Sequence, residues 1–296
     1  MKKLGFIGGG NMAEALIRGL LAKRVFAPAD LIASDIERTR RQRLKRIFKI
    51  DVSDSNAEVV RAASAMLIAV KPQDIEQVLA ELKGAQPTGS QQAVRMRRAG
   101  QFESERPRKP TPTGAQQRLF ISIAAGVTIA RLENGLGTGA RIIRVMPNAA
   151  AMVGEGMAAA VRGPAATRAD EAFALKIFNA VGDAVTLKDE KLLDAVTALS
   201  GSGPAYVYLF AKAMADAGVA EGLPPELALQ MALKTIRGAE SNMRQSKLDA
   251  GELIRVVASP GGTTEAALRK FVESGFSAIV ANALHAAAER SRELGR

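Results

Sequence analysis

The tightest constraint on this chain is the word Gly8-Gly9-Gly10-Asn11-Met12-Ala13, which follows the apolar run Leu4 to Ile7 and opens the helical pattern Met12 to Leu21. Its spacing is G-x-G-x-x-[GA]. Gly8 permits a tight turn, Gly10 lets a pyrophosphate approach the backbone, and Ala13 keeps the helix close to the strand. The helix N-terminus then offers unpaired N–H groups and the positive end of its dipole to phosphates. Glycines also mark ordinary turns, so the word alone is a weak signal. Its position between a strand and a helix makes it a dinucleotide-binding loop.

The pattern repeats. Leu31 to Ser34, Ala65 to Val70, Leu119 to Ala124, Ile142 to Met146 and Met157 to Val161 are short apolar runs separated by helical segments, and Asp183 to Leu187 is a last short strand. Such alternation predicts an α/β fold with a parallel, doubly wound sheet of the Rossmann type. From Asp189 onward only helices are expected, over 189–199, 205–217, 224–245, 249–257, 264–274 and 277–294, with Pro204 and Pro224 at starts and Gly218 and Gly275 at ends. The expected division is a dinucleotide-binding domain over 1–188 and an all-α domain over 189–296.

Residues 84–118 break the pattern, being rich in Pro, Gly, Gln, Ser and Arg with no hydrophobic period. A structureless stretch of that length is unusual inside a domain. It reads as a disordered surface insertion, with a basic tail for an anionic partner and a local reading-frame error as the alternatives. This segment carries a net +5 and residues 38–49 a net +7, within a chain whose total is +11. The rest is therefore almost neutral, and no aromatic platform accompanies the basic stretches, so nucleic acid is not an expected partner.

The chain has no cysteine and one histidine, His285. Disulfides, a thiolate nucleophile and a multi-histidine metal centre are excluded, and no metal is expected. The N-terminal apolar run is broken by Asn11, Glu14 and Arg18, and no stretch is long enough to span a bilayer. A cytoplasmic protein without membrane contact is expected.

Past the glycine loop, the second strand ends at Ser34-Asp35. An acid here accepts from the ribose 2′-OH of NAD, whereas an Arg nearby suits the 2′-phosphate of NADP. Asp35 favours the first, Ser34, Arg38 and Arg40 the second, and Asp35 could equally cap the helix that follows. Lys71-Pro72 stands at the carboxyl edge of the sheet, where ligands of open α/β sheets bind. In the helical half, Ser259-Pro260-Gly261-Gly262-Thr263-Thr264 is either an anion-binding turn or a helix–helix turn with a Thr cap. Ser200-Gly201-Ser202-Gly203-Pro204 interrupts another helix, with Thr197 and Ser200 beside the break.

Taken in order, these words resemble the pyrroline-5-carboxylate reductase family. They are Phe6 to Ala13, Ala69-Val70-Lys71-Pro72-Gln73, Ile123 to Gly126, Arg144-Val145-Met146-Pro147-Asn148, Val153 to Gly156, Asp194 to Tyr206 and Ser259 to Thr264. The resemblance leaves out 84–118 and, in part, 38–49. It implies a helical domain that dimerises, with larger rings of dimers also occurring in the family. It also implies reduction of L-1-pyrroline-5-carboxylate to L-proline, the last step of proline biosynthesis, by NADPH with NADH as the alternative. Carried over by position, Phe6, Ile7, Gly8, Gly9, Gly10, Asn11, Ser34, Asn56, Ala69, Val70, Lys71, Pro72, Ala124, Ala125 and Gly126 would contact the cofactor. Thr263 and Thr264 would hold the substrate carboxylate, with Ser259, Gly261 and Gly262 shaping the loop. Glu190 and Thr197 would line the ring pocket, Thr197 bonding the ring nitrogen as the catalytic residue. Two departures stand out: Ala149-Ala150 where the family usually has Thr-Pro, and Val256 where some members place a polar cofactor contact. A related β-hydroxyacid dehydrogenase is the alternative, but none of Lys191, Lys212, Lys234, Lys247 and Lys270 sits in a convincing catalytic motif.

Overall fold

A computed structural model of the chain describes residues 1–84 and 118–295. Apart from its two end residues, the segment 84–118 expected to be a disordered insertion lies outside the described residues. Packing divides the chain into two units, Met1–Gly201 with Ala288–Arg296, and Ser202–Ala287. The first unit thus runs beyond residue 188, where the change from strands to helices sets the expected boundary.

In the first unit, β1 (Lys2–Ile7), β2 (Leu31–Ser34), β3 (Asp51–Ser53), β4 (Ala63–Ile68), β5 (Leu119–Ser122), β6 (Arg141–Met146), β7 (Gly156–Arg162) and β8 (Gly182–Leu187) form one sheet in the order β3-β2-β1-β4-β5-β6-β7-β8. Strands β1 to β6 are parallel where they pair, but β7 runs antiparallel to β6, and β8 follows β7 in parallel. The expected parallel, doubly wound sheet is present, and β7 reverses direction against β6. Residues 147–155 connect β6 to β7 through a single 3₁₀ turn, Ala149–Val153, too short for the crossover that a parallel neighbour needs.

Among the described residues, six helices cover this sheet: α1 (Asn11–Ala22), α2 (Arg38–Phe48), α3 (Asn56–Ala62), α4 (Ile75–Gly84), α5 (Ile129–Leu136) and α6 (Arg168–Phe178). Leu16, Ile17 and Leu20 of α1, Leu44 and Phe48 of α2, and Ile177 and Phe178 of α6 pack on one face. Val59 and Val60 of α3, Leu79 and Leu82 of α4, and Leu132 and Leu136 of α5 pack on the other. The basic helix α2 shows how little is needed: two apolar residues at i and i+4 lie on one stripe and hold it down. After β3 the chain crosses back over β1 to lay down β4. The crevice at the carboxyl ends of β1 and β4 is therefore the topological switch point where ligands of this architecture bind.

One buried charge needs an account. Asp170 is 3% exposed at the start of α6. Its Oδ2 accepts from the Thr167 backbone N–H at 2.8 Å and from Arg141 Nε at 2.9 Å, while Arg141 Nη2 donates to Oδ1. Burial works to raise the Asp170 carboxyl, but hydrogen bonds from Arg141 and Thr167 outweigh it and hold the group below its ordinary value. A carboxyl lowered in the folded state contributes stability above its unfolded value, near 3.9, and loses that contribution as pH falls through the folded value. Asp170→Asn is expected to cost about 2 kcal/mol near neutral pH, combining a broken ion pair with a weakened helix cap. Urea unfolding of parent and variant should show the difference fading below about pH 4; a difference that stays constant to lower pH would contradict this account.

The second unit is helical. Helix α7 (Leu192–Val196) closes the first unit, and α8 (Gly203–Ala220) and α9 (Pro225–Gln245) open the second. Ala211 and Ala215 of α8 and Ala228 and Ala232 of α9 are buried, small side chains that let the two helices lie close. Then come α10 (Ala250–Val257), started by the capping box of Asp249 and Glu252, α11 (Thr263–Glu273) and α12 (Phe276–Leu294). Phe276 stacks obliquely on Phe210 at 6.4 Å and edge-on against Phe271 at 5.3 Å, tying α8, α11 and α12 together. No helix among the described residues is long and apolar enough to cross a membrane.

Candidate active site

A groove of about 790 Å³ opens at the switch point, a size suited to a nucleotide cofactor. Gly8, Gly10, Asn11, Asn56, Ala69, Val70 and Lys71, all expected at the cofactor, line it. Gly8 sits at φ +96°, and a Cβ there would stand 2.8 Å from the Ala69 carbonyl oxygen. Only glycine combines that conformation with so close an approach to the strand end. Gly10 differs: it caps α1 in extended backbone without any side-chain hydrogen bond, and a Cβ built on it meets nothing within 4 Å. The loop thus leaves open space over the first N–H groups of a twelve-residue helix. That geometry and those donors fit a pyrophosphate.

The other expected cofactor residues are placed less directly. Phe6 and Ile7 are fully buried in β1. Gly9 lines a smaller cavity beside α1. Ser34 is buried, and its hydroxyl donates to Asn56 Oδ1 at 2.6 Å and to the Phe6 carbonyl at 3.3 Å. Pro72, Ala124, Ala125 and Gly126 do not line the groove, although Ile123 does. Gly126 is covered by the last turn of α12, where a Cβ would meet Leu294.

Gln77 and Glu81 also line the groove, outside every sequence motif, together with Gln73 at the end of the Lys71-Pro72 word. Gln77 and Glu81 lie one turn apart on α4, with Gln73 one turn ahead, so they face the groove together. Gln77 Nε2 donates to Glu81 Oε1 at 3.1 Å, and Asn56 Nδ2 donates to Glu81 Oε2 at 2.7 Å. Their spacing of four was visible as a polar stripe opposite the apolar one.

At its far end the groove is lined by Met146 and Pro147. Asn148, next in the chain, accepts from the Met157 N–H at 3.1 Å and donates to Ser200 Oγ at 3.2 Å. Ser200 belongs to a π-helical turn, Thr197–Gly201, that continues α7. Such turns recur at functional sites because they widen the helix and re-aim a side chain. Thr197 is half-buried there, and its hydroxyl donates to the Leu193 carbonyl at 2.7 Å. Ser291, in the last turn of α12, donates to Asp194 Oδ1 at 2.6 Å and fixes α7 from the other side.

Glu190 stands just before α7. Its Oε1 accepts from the buried Arg144 guanidinium at 2.6 Å and from the Ile129 N–H at 2.8 Å, at the start of α5. Two charge-assisted bonds and a helix N-terminus therefore fix this carboxylate. Neither Glu190 nor Thr197 lines the groove.

In the second unit, Gly261 sits at φ +70° and Gly262 caps α11 without a side-chain bond, placing Thr263 and Thr264 in its first turn. The Gly261 N–H donates to Glu265 Oε2 at 2.6 Å, so one donor of the loop already faces a carboxylate of the chain. Ser259 and Thr263 are exposed and Thr264 half-buried. The departure Val256 is exposed on α10, and Ala149-Ala150 begins the 3₁₀ turn after Asn148.

Comparison with known proteins places these features in a family. Residues 190–294 match the family model for pyrroline-5-carboxylate reductase dimerisation, and residues 3–90 match that for NADP oxidoreductase, coenzyme F420-dependent. The chain is 38% identical to a pyrroline-5-carboxylate reductase of Synechocystis, covering 99% of this chain and 98% of that one. It is 39% identical to the enzyme of that name from Methanosarcina acetivorans, covering 100% and 98%. Among solved structures, pyrroline carboxylate reductase of Plasmodium falciparum with NADP bound superposes with a TM-score of 0.82 at 31% identity, covering 100% of this chain and 98% of that one.

Proposed function

The chain belongs to the pyrroline-5-carboxylate reductase family, and from that membership we propose that it reduces the C=N bond of L-1-pyrroline-5-carboxylate to L-proline, the last step of proline biosynthesis, using NADPH, with NADH as the alternative. The observation that carries the reading is the π-turn bearing Thr197, tethered through Asn148 to the end of the nucleotide-sized groove. Held in that groove by the glycine loop, Asn56 and Ala69 to Lys71, the cofactor would supply a hydride to the imine carbon.

Thr197 directs its own proton onto the Leu193 carbonyl. Its oxygen therefore keeps lone pairs to accept from the N–H of a protonated ring. A protonated imine is already electrophilic, so orientation does most of the work and no strong base is required. Glu190, its charge paired with Arg144 and its position fixed by the Ile129 N–H, would line the ring pocket. Thr263 and Thr264, with Ser259, Gly261 and Gly262, would hold the carboxylate through hydroxyls and the N-terminal N–H groups of α11. The self-association implied by the dimerisation match would give a homodimer, with a ring of dimers as the larger assembly. A cytoplasmic location belongs to the same proposal.

The test is NADPH oxidation with pyrroline-5-carboxylate, following proline, for the parent chain and Thr197→Val. The parent should turn over, and the variant should lose about tenfold in kcat with NADPH affinity unchanged, the worth of one hydrogen bond to a charged group. NADPH binding without any turnover would overturn the substrate assignment. An unaltered kcat in the variant would remove Thr197 from the mechanism.

A further inference from the structure

We infer that Arg40 is the residue that reads the 2′-phosphate of the cofactor, and that Asp35, standing where a ribose acceptor would, positions the glycine loop instead. The inference rests on the reading of the groove as the dinucleotide site.

Asp35 follows β2 and is 8% exposed. Its Oδ2 accepts from the Gly9 N–H at 2.8 Å, and its Oδ1 accepts from the Glu37 N–H at 2.8 Å. An acid that favours NAD offers its oxygens to the ribose hydroxyls; here each oxygen already latches a backbone donor, one of them in the glycine loop. Ser34, the other short polar side chain at this strand end, is committed to Asn56 and Phe6.

The arginines of α2 are not equivalent. Arg41 Nη1 donates to the carbonyls of Asp35 and Ile36 at 2.7 and 3.0 Å, which holds the β2–α2 turn. Arg43 forks onto Glu14 at 2.8 and 3.0 Å, which ties α2 to α1. Arg38 lines neither cavity. Arg40 lines both the groove and the smaller cavity of about 330 Å³ beside the start of α1. Its guanidinium stands 3.1 Å from Glu37 and 3.6 Å from Asp35 Oδ2, with 47% of the side chain exposed. An ion pair that exposed is weak, and a phosphate dianion presented to a planar guanidinium fork would displace it. The turn that ordinarily reads the ribose therefore carries a latched acid and, among the residues lining the groove, one arginine.

Calorimetric binding of adenosine 2′,5′-bisphosphate and of 5′-AMP to the full chain tests this without any turnover. The parent should bind the bisphosphate at least tenfold more tightly than 5′-AMP. Arg40→Gln should erase that preference while changing 5′-AMP affinity less than twofold, and Arg40→Lys should restore part of it. Asp35→Asn should weaken both ligands by a similar factor, because it loosens the loop beneath both. If the parent prefers the bisphosphate and Arg40→Gln keeps the preference, or weakens both ligands equally, the Arg40 assignment falls and the groove reading stands. If neither ligand binds the parent, the groove reading falls and takes this assignment with it.

Discussion

Gly10→Val should abolish NADPH binding at working concentrations, a loss of at least about 100-fold or roughly 2.7 kcal/mol, while moving the unfolding curve of the free chain far less than Gly8→Val does. Gly10 has φ −70° and ψ −175°, a conformation open to any residue, and a Cβ added there meets no atom within 4 Å. The free protein thus meets no clash at Cβ, and its expected cost is only that of a poorer N-cap. A pyrophosphate approaching the N-terminus of α1 would meet the new methyls instead. Gly8→Val supplies the contrast. There φ is +96°, and the Cβ would press within about 3 Å of both Ala69 backbone atoms and Val70 Cγ1. A β-branched residue in that region is strained by about 1–3 kcal/mol before the contact is counted, so stability and binding should fall together. Fluorescence titration of NADPH and urea unfolding on both variants separate the two behaviours. Gly10→Val binding NADPH as the parent does would mean that the loop is not the pyrophosphate seat.

How far such reasoning could be taken from residues alone depended on whether a feature has a period or a direction. The apolar runs that end at Gly8, Asp35 or Lys71 betray buried parallel strands because both faces must be covered. The edge strand β3, Asp51-Val52-Ser53, has one apolar residue and no period to see. The apolar run in β7 states that it is buried but not which way it points. The short link 147–155 held that information, since a parallel neighbour needs a longer crossover. Asp35 shows the limit at the site. An acid after β2 can cap a helix, accept from a ribose or latch the glycine loop, and residue type does not choose among them. That Gly9 and Glu37 both present N–H groups to it at 2.8 Å is a fact of tertiary geometry. The widened turn at Thr197 was equally out of reach, because Thr-Ala-Leu-Ser-Gly marks an interruption without saying that the helix passes through it as a π-turn.

Leu209→Glu should convert the parent dimer to monomers, raising the dimer dissociation constant by at least about 100-fold. Helix α8 runs for 18 residues, and four consecutive apolar side chains on it, Val207, Tyr208, Leu209 and Phe210, are each at least 40% exposed. Consecutive residues point about 100° apart on a helix, so this exposure spreads over most of the circumference and leaves only the stripe of Ala211 and Ala215 buried. Apart from the Lys212–Asp216 ion pair, the exposed side chains here are apolar, and their own unit buries the helix only in part. On α9, Leu229, Met231 and Leu233 are exposed in the same way. A surface this apolar marks an association site, and it falls inside residues 190–294, which match the dimerisation model. Leu209 is the most exposed of these four apolar residues, so a second copy would cover it and leave a glutamate there without water or a partner. Leu209→Met keeps volume and polarity and should remain dimeric. Sedimentation velocity over a concentration series distinguishes these outcomes. A Leu209→Glu variant that sediments as the parent dimer would show that the second copy docks elsewhere, and the exposed side chains of α8 would then need a different occupant.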